Sequence, residues 1–100
     1  MFDWAGVLGF QWDEGNARKS SEKHGVSQAE AEQVFFNHPL LIVHDVHHSH
    51  DEIRYHALGA TESRRLLHIT FTLREADTLI RVISARDMHR NERAIYEQAT

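Results

Sequence analysis

The sequence of 100 residues contains no cysteine, only one proline and no long apolar run. The lack of cysteine excludes disulfides, zinc ribbons, iron–sulfur clusters and a thiol nucleophile. The longest unbroken apolar run, residues 40–43, is far too short to span a bilayer. The first residues also lack the basic and apolar regions of a signal peptide. These absences predict a cytoplasmic protein without a membrane partner.

Familiar catalytic and binding motifs are missing as well. The chain has no phosphate-binding glycine loop, no dinucleotide fingerprint, no Gly-x-Ser-x-Gly and no His-Glu-x-x-His. We therefore predict neither a cofactor nor a bound metal.

The composition is ordinary for a folded protein, with 41% hydrophobic and 26% charged residues. The mean hydropathy of -0.52 and the low proline and glycine content argue against disorder. A chain of this length can build one modest core and no second one. Residues 1–100 are therefore predicted to form a single domain.

Charge is unevenly distributed around a net value of -4. Residues 1–50 carry three basic and seven acidic side chains. Residues 51–100 carry eight arginines, eight acidic side chains and no lysine. The total argues against a protein that coats nucleic acid by bulk charge. A local arginine site for phosphate remains open, because guanidinium groups bind phosphate bidentately.

Two helices are predicted in the first half of the chain. Asp13 is a suitable N-cap for a helix over 14–23, which would stop at Gly25. Ser27 and Glu30 form a capping box for a second helix that reaches Phe35 or Phe36. The proline three residues later prevents that helix from continuing.

The apolar pattern then changes to a period of two. It predicts strands over residues 40–44, 53–59, 66–73 and 79–85, with a further candidate at 9–12. Short polar connections join the last three strands, so they should form an antiparallel meander. Asp87 can cap a final helix that ends near Gln98. The predicted fold is α+β: a small antiparallel sheet of three to four strands, two N-terminal helices and one C-terminal helix, with the helices on one face.

The alternation leaves a polar outer face on this sheet. That face should carry Arg54, His56, His68, Thr70, Thr72 and Arg81. In the last strand the pattern sets Ile80, Val82 and Ser84 opposite Arg81, Ile83 and Ala85. Arginine, histidine and threonine on one concave face can grip a phosphate and transfer protons. The alternative is an ordinary half-solvated sheet, which the periodicity alone favours.

Residues 44–51 contain four histidines and two aspartates, a composition that suits a metal site. Zinc ligands, however, usually sit on rigid elements at defined spacing. This segment falls between two predicted strands, so a solvated loop is the favoured interpretation. A histidine-rich metal-binding protein is the alternative function that rests on it.

Several sequence blocks, in this order and spacing, resemble the BrnT family of ribonuclease toxins from bacterial type II toxin–antitoxin systems. The blocks are Phe10-Gln11-Trp12-Asp13, Lys23-His24-Gly25-Val26-Ser27, Glu52-Ile53-Arg54-Tyr55, Arg81-Val82-Ile83-Ser84-Ala85-Arg86, Glu92-Arg93 and Tyr96. Together they cover residues 10–96, nearly the whole chain.

The resemblance implies a fold similar to that of RelE toxins and a ribosome-independent endoribonuclease. Because no cluster of carboxylates on regular elements could hold magnesium in the usual way, we predict that cleavage needs no metal. The resemblance also implies an RNA substrate and a BrnA-type antitoxin encoded beside the toxin. That antitoxin carries a ribbon-helix-helix DNA-binding part, so the complex would repress its own operon. Nothing in this chain indicates that it binds DNA alone.

The resemblance also implies a set of site residues. Arg54, Arg81 and Arg86 are the candidates for holding the phosphate, with Arg54 and Arg81 expected to be adjacent on the outer face. The candidates for proton transfer or positioning are Lys23, His24 and Glu52, with Tyr96 packed near them. The acid and the base are not assigned individually.

Two positions depart from the family pattern. Asn16 stands where members commonly carry lysine, and Ser20 stands where they commonly carry asparagine. These departures motivate a second hypothesis, a non-catalytic module that only binds its antitoxin.

Overall fold

The computed structural model describes residues 4–100, which form an α+β fold of five strands and three helices. The α+β class predicted from the sequence is confirmed. In chain order the elements are β1 (Gly9–Gln11), α1 (Glu14–His24), α2 (Gln28–Phe36), β2 (Leu41–Asp45), β3 (Arg54–Ala60), β4 (Leu66–Arg74), β5 (Leu79–Asp87) and α3 (Arg90–Ala99).

The five strands form one mixed sheet in the order β1-β5-β4-β3-β2. Strands β2 to β5 are antiparallel neighbours, whereas β1 runs parallel to β5. The prediction of three to four purely antiparallel strands is therefore wrong. The candidate strand at 9–12 is present as β1, but its parallel pairing with a partner about 70 residues away has no local signal.

The core lies between one face of the sheet and α2. Alternate residues of β4, among them Leu67, Ile69 and Phe71, are fully buried there, as the period-two pattern predicts. Helix α2 buries Val34 against the same cluster. It packs so closely that a Cβ added to Gly59 of β3 would lie 2.8 Å from a Val34 methyl carbon. Glycine at this position allows the helix and strand to touch.

Helix α1 covers the edge of β5 that β1 leaves open. Strand β1 pairs only with residues 79–81. Beyond them, the Asn16 Nδ2 donates to the Val82 carbonyl oxygen at 2.9 Å, and the Ser20 Oγ accepts from the Ala85 N–H at 2.9 Å. Unpaired backbone groups at a sheet edge are normally a liability. Here two side chains of a helix satisfy them.

Helix α3 corrects the prediction that all helices share one face. Its Tyr96 clusters with Leu58 and Met88, and Leu58 belongs to the alternate set of β3 that faces away from the core. The helix therefore covers one end of the outer face. Asp87 is the last residue of β5 rather than a cap, and its carboxylate binds Arg65 at 2.7 Å. The N-cap is His89.

A β-bulge changes the phase of β5. Thr70 of β4 pairs with Ser84, while the next residue, Phe71, pairs with Val82, so Ile83 is an extra residue. Val82 before the bulge is buried in the core, and so is Ala85 after it. The expected grouping of Ser84 with Ile80 and Val82 is therefore wrong, and Ser84 faces outward.

No helix within residues 4–100 combines the length and apolar character needed to cross a membrane.

Candidate functional site

A groove of about 450 Å³ lies on the outer face of the sheet, between α1 at one side and the end of β2 at the other. All but one of its lining residues carry a polar or charged side chain. It comprises Lys19, Asp45, His48, Arg54, His56, His68, Thr70, Ile83, Ser84, Arg86 and Glu92. Five of these residues are basic or imidazole side chains on β3, β4, β5 and α1. The outer face predicted from periodicity is therefore a concave, cation-rich surface rather than a flat solvated one.

Asp45 organises the end of the groove near β2. Its Oδ2 lies 2.9 Å from the His56 Nε2 and 3.0 Å from the His48 Nδ1. Burial opposes ionisation of Asp45, but the hydrogen bond from His48 and the charge of His56 outweigh it and lower the pKa of Asp45. The carboxylate therefore stays ionised and holds two imidazole rings.

Glu92 organises the opposite end. It accepts two hydrogen bonds from the Arg86 guanidinium, at 2.8 and 2.9 Å, and these lower the pKa of Glu92 to about 2. Its Oε2 lies 3.7 Å from the His68 Nε2. Burial, and then the charge of Arg86, lowers the pKa of His68 to about 4, so this ring is neutral near pH 7. Arg86 is thus fixed in place and largely neutralised.

Arg54 and Lys19 supply the uncompensated charge. Arg54 lies directly opposite Asp45 in the β2–β3 pairing. Because the two histidines occupy that carboxylate, the Arg54 guanidinium forms no ion pair with any residue in 4–100. Lys19 is exposed on α1 and also forms no ion pair within that range. An anion that enters the groove meets these two cations first.

The residues implied by the family resemblance are only partly brought together. Arg54 and Arg86 both line the groove. Lys23 lies one helical turn after Lys19 on the exposed side of α1, beyond the lining residues. His24 ends α1, and its carbonyl oxygen accepts from Arg65 at 3.3 Å, outside the groove.

Arg81 faces outward as predicted. Contrary to the prediction, it is not adjacent to Arg54. Thr72 of β4 pairs with both arginines and so separates them. The Arg81 guanidinium instead donates to the Gln11 Oε1 at 3.1 Å and to the Asp13 Oδ2 at 2.9 Å. The hydrogen bond from the Asn16 backbone, and then the one from Arg81, lowers the pKa of Asp13. Arg81 is therefore committed to the junction of β1 and α1.

Glu52 and Tyr96 are also engaged elsewhere. Glu52 forms an ion pair with Arg74 at 3.0 Å, at a smaller depression of about 200 Å³ that Arg54 and His48 also line. Tyr96 is buried, and its hydroxyl donates to the Pro39 carbonyl oxygen at 2.6 Å. Tyr96 thus packs between α3 and the start of β2 rather than beside Lys23, His24 or Glu52.

Several groove residues had no assigned role in the sequence analysis. Periodicity placed His56 and His68 on the outer face, but their partners Asp45, His48 and Glu92 were not foreseen as such. The strand alternation could have placed Asp45 on the outer face. Asp45 and Val43 are alternate residues of β2, and they pair with the outward Arg54 and His56. Lys19 had no signal, since nothing local predicts that α1 lies at the edge of β5.

The histidine-rich segment does not assemble a metal centre. Among residues 4–100, no group of three or more histidine, aspartate or glutamate side chains is placed to hold a metal ion. Asp45 and His48 bond to each other instead, and the Ser49 hydroxyl donates to the Asp45 carbonyl oxygen at 2.5 Å. The first two residues of the segment end β2, and the rest form a hydrogen-bonded loop at the rim of the groove.

The two departures from the family pattern lie outside the groove. Asn16 and Ser20 are both buried on the side of α1 that meets β5. Their polar atoms bind the backbone of β1 and β5. These residues join a helix to a sheet edge, so their identity bears on packing and not directly on the groove.

A concave sheet face with free cations beside hydrogen-bonded histidines is the kind of site that binds phosphodiester groups. The family model described as the ribonuclease toxin BrnT of type II toxin–antitoxin systems matches residues 12–92. The chain therefore belongs to the BrnT family of ribonuclease toxins. No curated protein matches the sequence.

Proposed function

We propose that this protein is an endoribonuclease that cleaves RNA in the outer-face groove without a metal ion and is neutralised by a BrnA-type antitoxin. The observation that carries the proposal is Arg54, a cation without an ion-pair partner among residues 4–100, set beside imidazoles that Asp45 holds in place. We place its action in the cytoplasm, where RNA is available as substrate.

The groove has the parts that RNA transesterification requires. A phosphate bound at Arg54 would have Lys19 and the fixed Arg86 as further sources of positive charge along the same surface. Such preorganised charge stabilises the dianionic phosphorane more than the ground-state phosphodiester. The 2′-hydroxyl of the substrate is the nucleophile, so positioning supplies much of the rate and no activated water is needed.

Cleavage should continue in the presence of a chelator. Guanidinium and ammonium groups, rather than a divalent ion, would offset the charge on the phosphate. We expect the purified, antitoxin-free protein to cut a labelled RNA at the same rate with EDTA and with Mg²⁺. The 5′ fragment should end in a 2′,3′-cyclic phosphate, detectable by mass spectrometry.

Loss of cleavage in EDTA with recovery on adding a divalent ion would refute metal independence and favour the metal-binding hypothesis. If the antitoxin-free protein leaves RNA intact under all conditions, the second hypothesis applies, and the chain is a module that only binds its antitoxin.

The antitoxin should bind over the groove, because covering the exposed cations is the simplest way to prevent RNA from binding. We expect a ribbon-helix-helix antitoxin encoded beside this gene, which co-purifies with this chain and stops cleavage at equimolar ratio. Arg54→Glu should weaken the complex at least tenfold in a calorimetric titration. Arg90→Glu, an exposed arginine on α3 outside the groove, is the matched control and should have little effect. A wild-type affinity for Arg54→Glu would place the antitoxin elsewhere.

A further inference from the structure

His48 is held at the rim of the groove in one orientation. Its Nδ1 lies 3.1 and 3.0 Å from the two carboxylate oxygens of Asp45, and its backbone N–H donates to the same carboxylate at 3.2 Å. The side chain is otherwise 70% exposed. The Asp45 carboxylate therefore fixes the His48 Nδ1, while the Nε2 side of the ring is open to solvent.

The partner determines which nitrogen is free. An ionised carboxylate only accepts hydrogen bonds, so the Asp45 contact requires a proton on the His48 Nδ1. The neutral ring then carries its lone pair on Nε2, which has no hydrogen-bond partner among residues 4–100. General-base histidines have the same arrangement: one ring nitrogen is hydrogen-bonded to a carboxylate, and the other nitrogen accepts the proton from the reacting group.

Asp45 is itself locked. Its side chain is only 7% exposed, and its Oδ2 lies 2.9 Å from the His56 Nε2. The other nitrogen of His56 lies 3.1 Å from the Thr70 Oγ1. Both nitrogens of His56 are therefore occupied, which makes it a support for the carboxylate. His48 is the histidine of this cluster with a nitrogen available to substrate.

His48 also lies where a bound phosphate would be. Arg54 and His48 line the groove together, and they line the adjoining depression together. Arg54 faces Asp45 directly across the β2–β3 pair. A phosphodiester bound by the Arg54 guanidinium would therefore lie in the same groove as the His48 Nε2.

Resting on the proposed function, we propose that His48 is the general base of RNA cleavage and that Asp45 is its positioning residue. The His48 Nε2 takes the proton of the 2′-hydroxyl as the O2′–P bond forms. The P–O5′ bond breaks, and the leaving O5′ takes a proton from water. The resulting hydroxide removes the proton from His48, which restores the neutral ring and the water.

The charged groups around His48 come from three elements. Asp45 belongs to β2, Arg54 and His56 belong to β3, and His50, Asp51 and Glu52 belong to the loop that joins these strands. Of these, Asp45 is the one with a direct contact to the ring. The role of His48 is therefore tested by replacing the ring and by replacing the carboxylate that orients it.

The test compares His48→Ala with His47→Ala, in which the exposed neighbouring histidine outside the groove lining is removed. We expect His48→Ala to cut RNA about 100-fold more slowly, the lower end of the usual contribution of a general base, and His47→Ala to match the wild type. Added imidazole should restore part of the His48→Ala rate. Asp45→Asn should slow cleavage at saturating RNA while leaving the Kd for an RNA that lacks the reacting 2′-hydroxyl unchanged.

A wild-type rate in His48→Ala, or a slow rate that imidazole fails to raise, would overturn the assignment. The proposed function is judged separately by Arg54→Ala. If that variant loses cleavage and His48→Ala does not, the groove is the active site and its base is another group. If the wild-type protein itself cuts no RNA, both proposals fall.

Discussion

Replacing Arg54 by alanine should slow RNA cleavage by about 100- to 1,000-fold, the usual effect of removing one preorganised electrostatic donor. Arg54 is the groove cation on β3 that forms no ion pair within residues 4–100, so its charge is available to the phosphate in full. Arg86, by contrast, is already bound at two positions by Glu92. The loss should appear as a lower kcat/KM in initial-rate measurements on a labelled RNA.

The fold should survive this change. The Arg54 side chain forms no ion pair within the described residues, and surface substitutions of that kind usually alter the free energy of unfolding by less than about 0.5 kcal/mol. Arg90→Ala removes an exposed arginine outside the groove and serves as the control. A rate for Arg54→Ala within threefold of the control would remove Arg54 from the active site.

Replacing Asn16 by alanine should lower the free energy of unfolding by about 2–4 kcal/mol. The Asn16 amide donates to the Val82 carbonyl at 2.9 Å and to the Gln11 carbonyl at 3.1 Å, and its Oδ1 accepts from the Asp13 N–H at 2.7 Å. Alanine leaves these backbone groups without that partner in a buried place, at a cost of about 1–3 kcal/mol for each group that water cannot reach. Urea titration followed by circular dichroism would measure the loss.

Asn91→Ala is the matched control, because Asn91 is exposed on α3 and should change stability little. The Asn16 variant should also unfold about 10–20 °C lower on heating, given how strongly the Tm of a domain this small responds to stability. If the two asparagine variants were equally stable, α1 would not be held to β5 through Asn16.

The parts of the fold that the sequence predicts are those with a local signal. Strand β4 alternates regularly, and the buried Leu67, Ile69 and Phe71 follow that alternation. The Ser27–Glu30 capping box places the start of α2, and both of its hydrogen bonds are present. The parallel pairing of β1 and the position of α3 depend on contacts between distant residues. The outward-facing Leu58 was the available hint that something covers the outer face.

The candidate site divides in the same way. Arg54, His56 and His68 follow from strand alternation, since a side chain's face is set by its position in the strand. Strand alternation does not predict which of these outward side chains forms an ion pair. Arg54 and Arg81 look equivalent as outward arginines, yet Asp13 binds one and leaves the other free. That difference depends on where α1 begins in space, which the pattern of β3 and β5 does not contain.

The bulge at Ile83 makes the length of β5 as important as its residues. Arg81 and Arg86 are five positions apart, and in an unbroken strand an odd separation puts two side chains on opposite faces. The extra residue lets both arginines face outward while Val82 and Ala85 both face the core. The same spacing of five in a strand without a bulge would turn one guanidinium into the apolar interior, whereas a spacing of four in a regular strand keeps both arginines outward. Relatives that lack one residue between these arginines should therefore also lack the bulge, and relatives that keep the spacing of five should keep it.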